Sequence, residues 1–386
     1  MASSLRIPIK KEIWYWALKE SQMSEEEIFK KYPQINQWIT GKKNPTFKQL
    51  EKFANFLKIP FGYLFLESPP TVNVMKAEFR SINSKLPKMS KELKDTILAM
   101  DFKKNWMSEY RKSLGWSKLE VIVDFNKQKS GTIPADAAVA KKLLGLKDNW
   151  YLSVKDFREA YNFLREAVEH TGILVMQNGV VGTNNHRKLD INEFRAFLLF
   201  DSISPLIFIN NNDSLGGKIF SLIHEYFHIL IEKENLFLHE DLYSTKENER
   251  FINRLTAEFL MPEEQVRRHW DKNTDPLDQI HELSRVYKVS EVAVALKLKD
   301  MSLADNKIIA LIVEEARKNF DKKKSKESGG DFYNTYNTRI SPVFAKAVIG
   351  EAETGAISYT YAFRLLDITT GKTYNKIKER LAYHDL

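Results

Sequence analysis

The chain has 386 residues, 43% of them apolar and 12% aromatic, enough for two or three cores and too apolar for a disordered chain. It has no Cys, which excludes disulfides, a cysteine nucleophile and thiolate metal sites, and which fits a reducing cytoplasm. The formal charge of +8 favours acidic partners such as nucleic acid, and no apolar run reaches the roughly 18 residues of a membrane span or forms a signal peptide near the start. The expected compartment is therefore the cytoplasm.

Residues 8–65 read as short helices. Ile13, Trp14, Ala17 and Leu18 make a first apolar stripe. Ser24 followed by Glu27 is the signature of a capping box. Pro33 opens a short segment with Ile35 and Trp38, Gly41 and Pro45 interrupt the chain, and Thr46 is placed to cap a helix carrying Leu50, Phe53, Ala54 and Leu57. Several short helices with lysines clustered in the first 50 residues suggest a helix-turn-helix. A small helical bundle that only docks or dimerises fits the same periodicity.

Residues 71–170 read as mainly helical, with patterns at Leu93, Ile97 and Phe102, at Trp106, Tyr110 and Leu114, and over 134–145 and 155–169. From residue 171 the pattern changes. Strands are expected over 172–176, 194–200 and 205–210, with a turn or strand at 179–182. A helix over about 215–232 follows, then one over 248–261 ending at Pro262, another near 280–287, a Ser290-capped helix and a charged helix over 303–319. The lysines at 322–324, with Lys326, read as a solvated linker before a small helical lobe.

The helix over 215–232 carries His224-Glu225-Tyr226-Phe227-His228, an HExxH motif inside an apolar run. On a helix the two histidines share one face, about 6 Å of rise apart, so both imidazoles can reach one metal ion. Glu225 is then the general base that takes a proton from water. Paired histidines on a core helix would show the same pattern without chemistry. A catalytic metal needs a third protein ligand and an open position. His239, Glu240, Asp241, Glu247, Glu249, Glu258 and His269 are all candidates, and spacing alone does not choose among them. Glu249 and Asn253 lie four apart on one helix, where Glu249 can supply the anion and Asn253 can orient a neighbouring group; His239 and Glu240 in a polar loop can serve instead. His239, Tyr243 and His269 are candidate donors to the oxyanion. The His/His/carboxylate set suits zinc, with manganese as an alternative.

The stretch Phe220-Ser221-Leu222-Ile223-His224-Glu225-Tyr226-Phe227-His228 resembles the ImmA/IrrE metallopeptidase family. So do Pro205-Leu206-Ile207-Phe208-Ile209-Asn210 before it, and Glu249, Asn253 and Ala257-Glu258-Phe259-Leu260-Met261-Pro262 after it. By that resemblance Glu249 is the third ligand. The chain departs from the family where many members have Gly (Phe227 here), a further His (Glu232 here), and Ala and Phe beside the Asn (Ile252 and Leu255 here). The N-terminus is similar to the DNA-binding unit of phage-repressor-type (XRE) regulators at Trp38, Gly41, Pro45-Thr46, Gln49-Leu50, Phe53-Ala54 and Pro60 through Phe65. Glu78-Phe79-Arg80-Ser81 and Gly329-Gly330-Asp331-Phe332-Tyr333 match a longer architecture that joins the two parts.

The resemblance implies a multidomain, mainly α protein with a small sheet (α+β). Its parts are a helix-turn-helix domain over 1–70, a helical connecting region over 71–170, a zincin-like metallopeptidase domain over 171–320 and a C-terminal helical lobe over 321–386. Gln34, Asn36 and Gln37 are placed to read base edges of an operator in double-stranded DNA, with Lys30, Lys31, Lys42 and Lys43 on phosphates. The implied activity is a metal-dependent endopeptidase that cleaves or controls a repressor or toxin partner. The alternative is a non-proteolytic repressor or antitoxin with a structural or sensory metal site. Units of this DNA-binding kind commonly pair, which leaves room for a homodimer.

Overall fold

The computed structural model describes residues 6–21, 23–57, 59, 61–66, 68–69, 77–80, 89–231, 246–271, 273–324 and 338–383. The described residues within Met1–Val74 and Lys88–Asp95 form one compact unit, and those within Met75–Pro87 and Thr96–Leu386 form a second.

In the first unit, side-chain caps set where the helices begin. α1 (Lys11–Ser21) is followed by α2 (Glu25–Lys31), whose capping box is complete: Ser24 accepts from the Glu27 N–H and the Glu27 carboxylate accepts from the Ser24 N–H. α3 (Ile35–Ile39) is a single turn and a half, ended by Gly41 at φ +73°. α4 (Phe47–Leu57) starts with a reciprocal pair, Thr46 Oγ1 accepting from the Gln49 N–H at 3.3 Å and Gln49 Oε1 from the Thr46 N–H at 2.9 Å. The core is aromatic: Trp14 stacks on Trp38 at 5.9 Å, and Phe53 meets both rings edge-on. Ile13, Ala17, Ile28, Ile35, Leu50 and Leu57 complete it.

The second unit contains most of α5 (Lys91–Ser113), then α6 (Glu120–Gln128), α7 (Ile133–Leu143) and α8 (Phe157–His170). One continuous helix thus covers the two apolar patterns at 93–102 and 106–114. Asp156 caps α8 by accepting from the Arg158 and Glu159 N–H groups, both at 2.9 Å.

Four strands form a mixed sheet in the order β1-β5-β6-β2: β1 (Ala77–Arg80), β2 (Leu174–Asn178), β5 (Ala196–Leu199) and β6 (Leu206–Asn210). β5 is antiparallel to both neighbours and β2 is parallel to β6, with Met176 beside Phe208. Every residue of β5 and β6 is buried, which explains their unbroken apolar runs: both faces are covered. β3 (Val180–Val181) and β4 (Asn184–Lys188) make a separate exposed hairpin. The strand expected over 172–176 begins two residues later because Gly172, at φ +93°, ends α8 in the left-handed region instead of opening a strand.

α9 (Leu215–Ile231) lies against β5, β6 and α8. Gly216 lets its first turn approach another segment: a Cβ there would sit 2.7 Å from the Ser290 backbone nitrogen. After it come α10 (Lys246–Leu260), α11 (Glu263–His269), α12 (Pro276–Tyr287), α13 (Glu291–Asp300) and α14 (Asn306–Lys324). Ser290 caps α13 as expected, accepting from the Ala293 N–H. Residues 322–324, expected as linker, continue α14; Lys326 and residues 329–333 lie outside the described residues, as do Pro60 and Ser81.

The C-terminal segment adds α15 (Pro342–Glu353), α16 (Tyr359–Leu365) and α17 (Gly371–Tyr383). Two buried cations hold it to the rest of the second unit. Arg165 of α8 donates to the Thr338 and Ile340 carbonyls and to Val175 of β2. Lys103 of α5 donates to the Leu365 carbonyl at 2.9 Å and pairs with Asp367 at 2.8 Å.

Candidate metal centre

α9 reads LGGKIFSLIHEYFHILI, and residues 216–230 are all buried. A helix apolar all round is a core element, so polar groups inside it need partners. His224 and Glu225 are each 1% exposed and His228 8%. The four-residue spacing brings the Nε2 atoms of His224 and His228 to 3.1 Å, with the rings edge to face. Phe220, one turn earlier, stacks on His224 at 28° and limits its tilt.

The third group comes from α10. Glu249 places Oε2 3.4 Å from His224 Nε2 and Oε1 3.3 Å from His228 Nε2. Partial burial raises the Glu249 carboxyl pKa, but hydrogen bonds and charge from the two imidazoles outweigh it and hold the group well below the usual carboxylate range. Glu249 keeps 37% of its side chain exposed, so the cluster opens to solvent on the α10 side.

α10 holds its place through apolar packing. Ile252 and Leu255 are buried, and Phe259 meets Phe227 of α9 edge to face at 5.8 Å. The residues that depart from the family pattern at 227, 252 and 255 are thus all core residues, and Phe227 packs between the two helices that carry the cluster.

The donor set fits a divalent cation. One donor atom from each of the three side chains lies within 4.8 Å of the others, the shortest separations being 3.1, 3.3 and 3.4 Å. A tetrahedral site with metal–ligand bonds of about 2.0–2.1 Å has edges of about 3.3 Å. Among the described residues this is the one group of three or more His, Cys, Asp or Glu so arranged.

The other candidates fall elsewhere. Glu247 is exposed. Glu258 is buried and paired with Lys297 of α13, and it accepts from the Glu263 N–H at 3.1 Å, a cap that Pro262 has no side-chain oxygen to provide. His269 Nδ1 sits 2.8 Å from the Gln265 carbonyl and 3.2 Å from the Tyr287 hydroxyl. Asn253 is exposed. His239, Glu240, Asp241, Tyr243 and Glu232 lie outside the described residues. Sequence reasoning missed Phe220 as a support for His224, although its spacing of four from that histidine was the available signal.

The proposed DNA-contact residues all lie in the first unit. Lys30, Lys31, Asn36, Gln37, Lys42 and Lys43 are exposed and Gln34 is half-buried. The Lys31 ammonium sits 4.3 Å from the Phe56 ring centre.

Residues 168–299 match the peptidase M78 family, described as the IrrE N-terminal-like domain. This segment is metallopeptidase-like. It spans about a third of the chain and contains β2 to α13, with all three residues of the cluster. An M78-type domain implies a divalent metal, in accord with the donor set. Residues 340–380 match a domain of unknown function, DUF8813. Neither match reaches the first unit. No curated protein and no solved structure matches the chain. No helix among the described residues is long and apolar enough to cross a membrane.

Proposed function

We propose that the protein is a metal-dependent endopeptidase whose M78-type domain acts on a protein partner, a repressor or toxin, and whose first unit binds operator DNA. The observation that supports this reading best is the convergence of His224 Nε2, His228 Nε2 and the Glu249 carboxylate, one donor atom from each within 4.8 Å of the others, beside Glu225. His224, His228 and Glu249 are assigned as ligands, with zinc the favoured ion. When bound, the cation supplies Lewis acidity, polarising the scissile carbonyl and acidifying a water. Glu225 takes one proton from the attacking water as the oxygen bonds to the carbonyl carbon. It passes that proton to the amide nitrogen as the C–N bond breaks. Phe220 keeps the His224 ring oriented.

Metal analysis of the purified full chain tests the site. About one equivalent of zinc is expected for the native chain, and strong depletion for His224→Ala and Glu249→Gln. Full metal retention in both variants would refute the assignment.

For the first unit, the supporting observation is that Asn36 and Gln37 of α3 are exposed while the flanking residues Ile35 and Trp38 are buried, with Lys30, Lys42 and Lys43 exposed nearby in sequence. A mobility-shift assay on the DNA upstream of the coding region is expected to show binding that weakens as salt rises. Binding insensitive to salt, or lost in none of the lysine variants, counts against it.

A further inference from the structure

A cavity with a mainly apolar wall lies away from the metal centre, between β2, the β3–β4 turn and the C-terminal segment. Its cavity volume is about 20 Å³. Room of that size holds about one water-sized group, so a ligand would place a single polar group inside and leave the remainder at the surface.

Two side chains on its wall lack partners. Gln177 is 5% exposed, and its Oε1 has no hydrogen-bond partner. Arg339 is half-buried, its Nε is shielded from solvent without a partner, and its guanidinium forms no hydrogen bond or ion pair with a described residue. Burial pushes the Arg339 pKa down, and the neighbouring Asp367 acts the other way. That aspartate is already engaged by Lys103 at 2.8 Å. Lys103, Arg339 and Asp367 together carry one net positive charge, and the donors left unused belong to Arg339. A half-buried guanidinium with free donors calls for an oxyanion.

The rest of the wall narrows the class. Met100, Met176, Phe208 and Ile340 are apolar, and Thr183 adds a hydroxyl at the mouth. A phosphate would need several more donors than one guanidinium, an amide and a hydroxyl. A carboxylate offers two oxygens that match the guanidinium fork, and an apolar tail would lie on the methionines. The Gln177 amide can turn its NH₂ toward the same group.

We propose that this cavity binds the head group of a small monocarboxylate, with Arg339 as its receptor. The cavity joins the M78-type domain to the segment of unknown function, so a bound carboxylate would touch both. This inference stands apart from the metal-site reading.

The test uses the full chain with methyl-labelled methionines and sodium butyrate as probe, against sodium chloride and sodium phosphate at matched ionic strength. Butyrate is expected to shift the Met100 and Met176 methyl resonances saturably and to raise Tm by a few degrees. Arg339→Gln should weaken both responses at least tenfold. Met100→Trp, which enlarges a wall residue and leaves Arg339 in place, should do the same and serves if Arg339→Gln does not fold. Absence of a saturable shift, an undiminished response in either folded variant, or an equal response to chloride or phosphate would overturn the proposal.

Discussion

Glu225 and Phe227 occupy the same motif and carry opposite burdens. Glu225 is buried to 1% exposure beside the paired histidines, which suits a base that must act out of bulk water. Glu225→Gln keeps size and neutral hydrogen bonding, so metal content should be unchanged while peptide cleavage falls by about 10²–10⁴-fold; cleavage at the native rate would remove Glu225 from the mechanism and favour the non-proteolytic regulator. Phe227 is fully buried against Phe259, and Phe227→Ala should lower stability by about 3–5 kcal/mol in urea unfolding. Glu169 gives a pH signature remote from the site. Burial raises its pKa, against Arg165 at 3.4 Å and hydrogen bonds from Ser341 and Val175. The folded state therefore holds this proton more tightly than the unfolded state. The destabilisation from Glu169 is absent below the ordinary carboxylate pKa and grows as pH rises toward the raised folded value. Glu169→Gln should flatten that part of the stability–pH profile, measured by denaturant midpoints from pH 4 to 7.

At the level of elements, α9 and α10 were legible in the sequence because both are long and strongly patterned, and the HExxH spacing fixes which face of α9 carries the histidines. Which carboxylate joins the two histidines was not legible from spacing. Glu249 meets the imidazoles across a helix–helix contact, and periodicity reports faces, not which faces meet. Family resemblance chose it where geometry on one helix could not. α6 was missed because Val121, Ile122 and Phe125 make too short a stripe, and β2 was placed two residues early because Gly172 looks alike in a turn and at a strand start. The capping box at Ser24 and the caps at Thr46 and Ser290 were readable because each acts within three residues. The Ser290 turn also receives α9, since Gly216 admits it. Gly216→Ala forces that backbone contact apart and should cost about 1–3 kcal/mol, read as a lower urea midpoint. An unchanged midpoint would show that the approach relaxes freely.

Across the whole molecule, the cluster takes two side chains from α9 and one from α10, so a cation bound there would stabilise the folded chain by its differential affinity. At free metal about a thousandfold above Kd the gain is about 4 kcal/mol, so chelation should lower Tm in calorimetry and zinc should restore it. The His224→Ala chain should show neither effect. The M78 match ends at residue 299, yet Arg165 and Lys103 inside the second unit give their hydrogen bonds to carbonyls at 338, 340 and 365. A fragment trimmed to residues 168–299 would lose Lys103, Arg165 and nearly all of α8, and would uncover β2, whose Val175 carbonyl accepts from Arg165. Such a fragment would be a poor surrogate for the intact protein, prone to precipitate, and its inactivity would say nothing about the chemistry of the full chain.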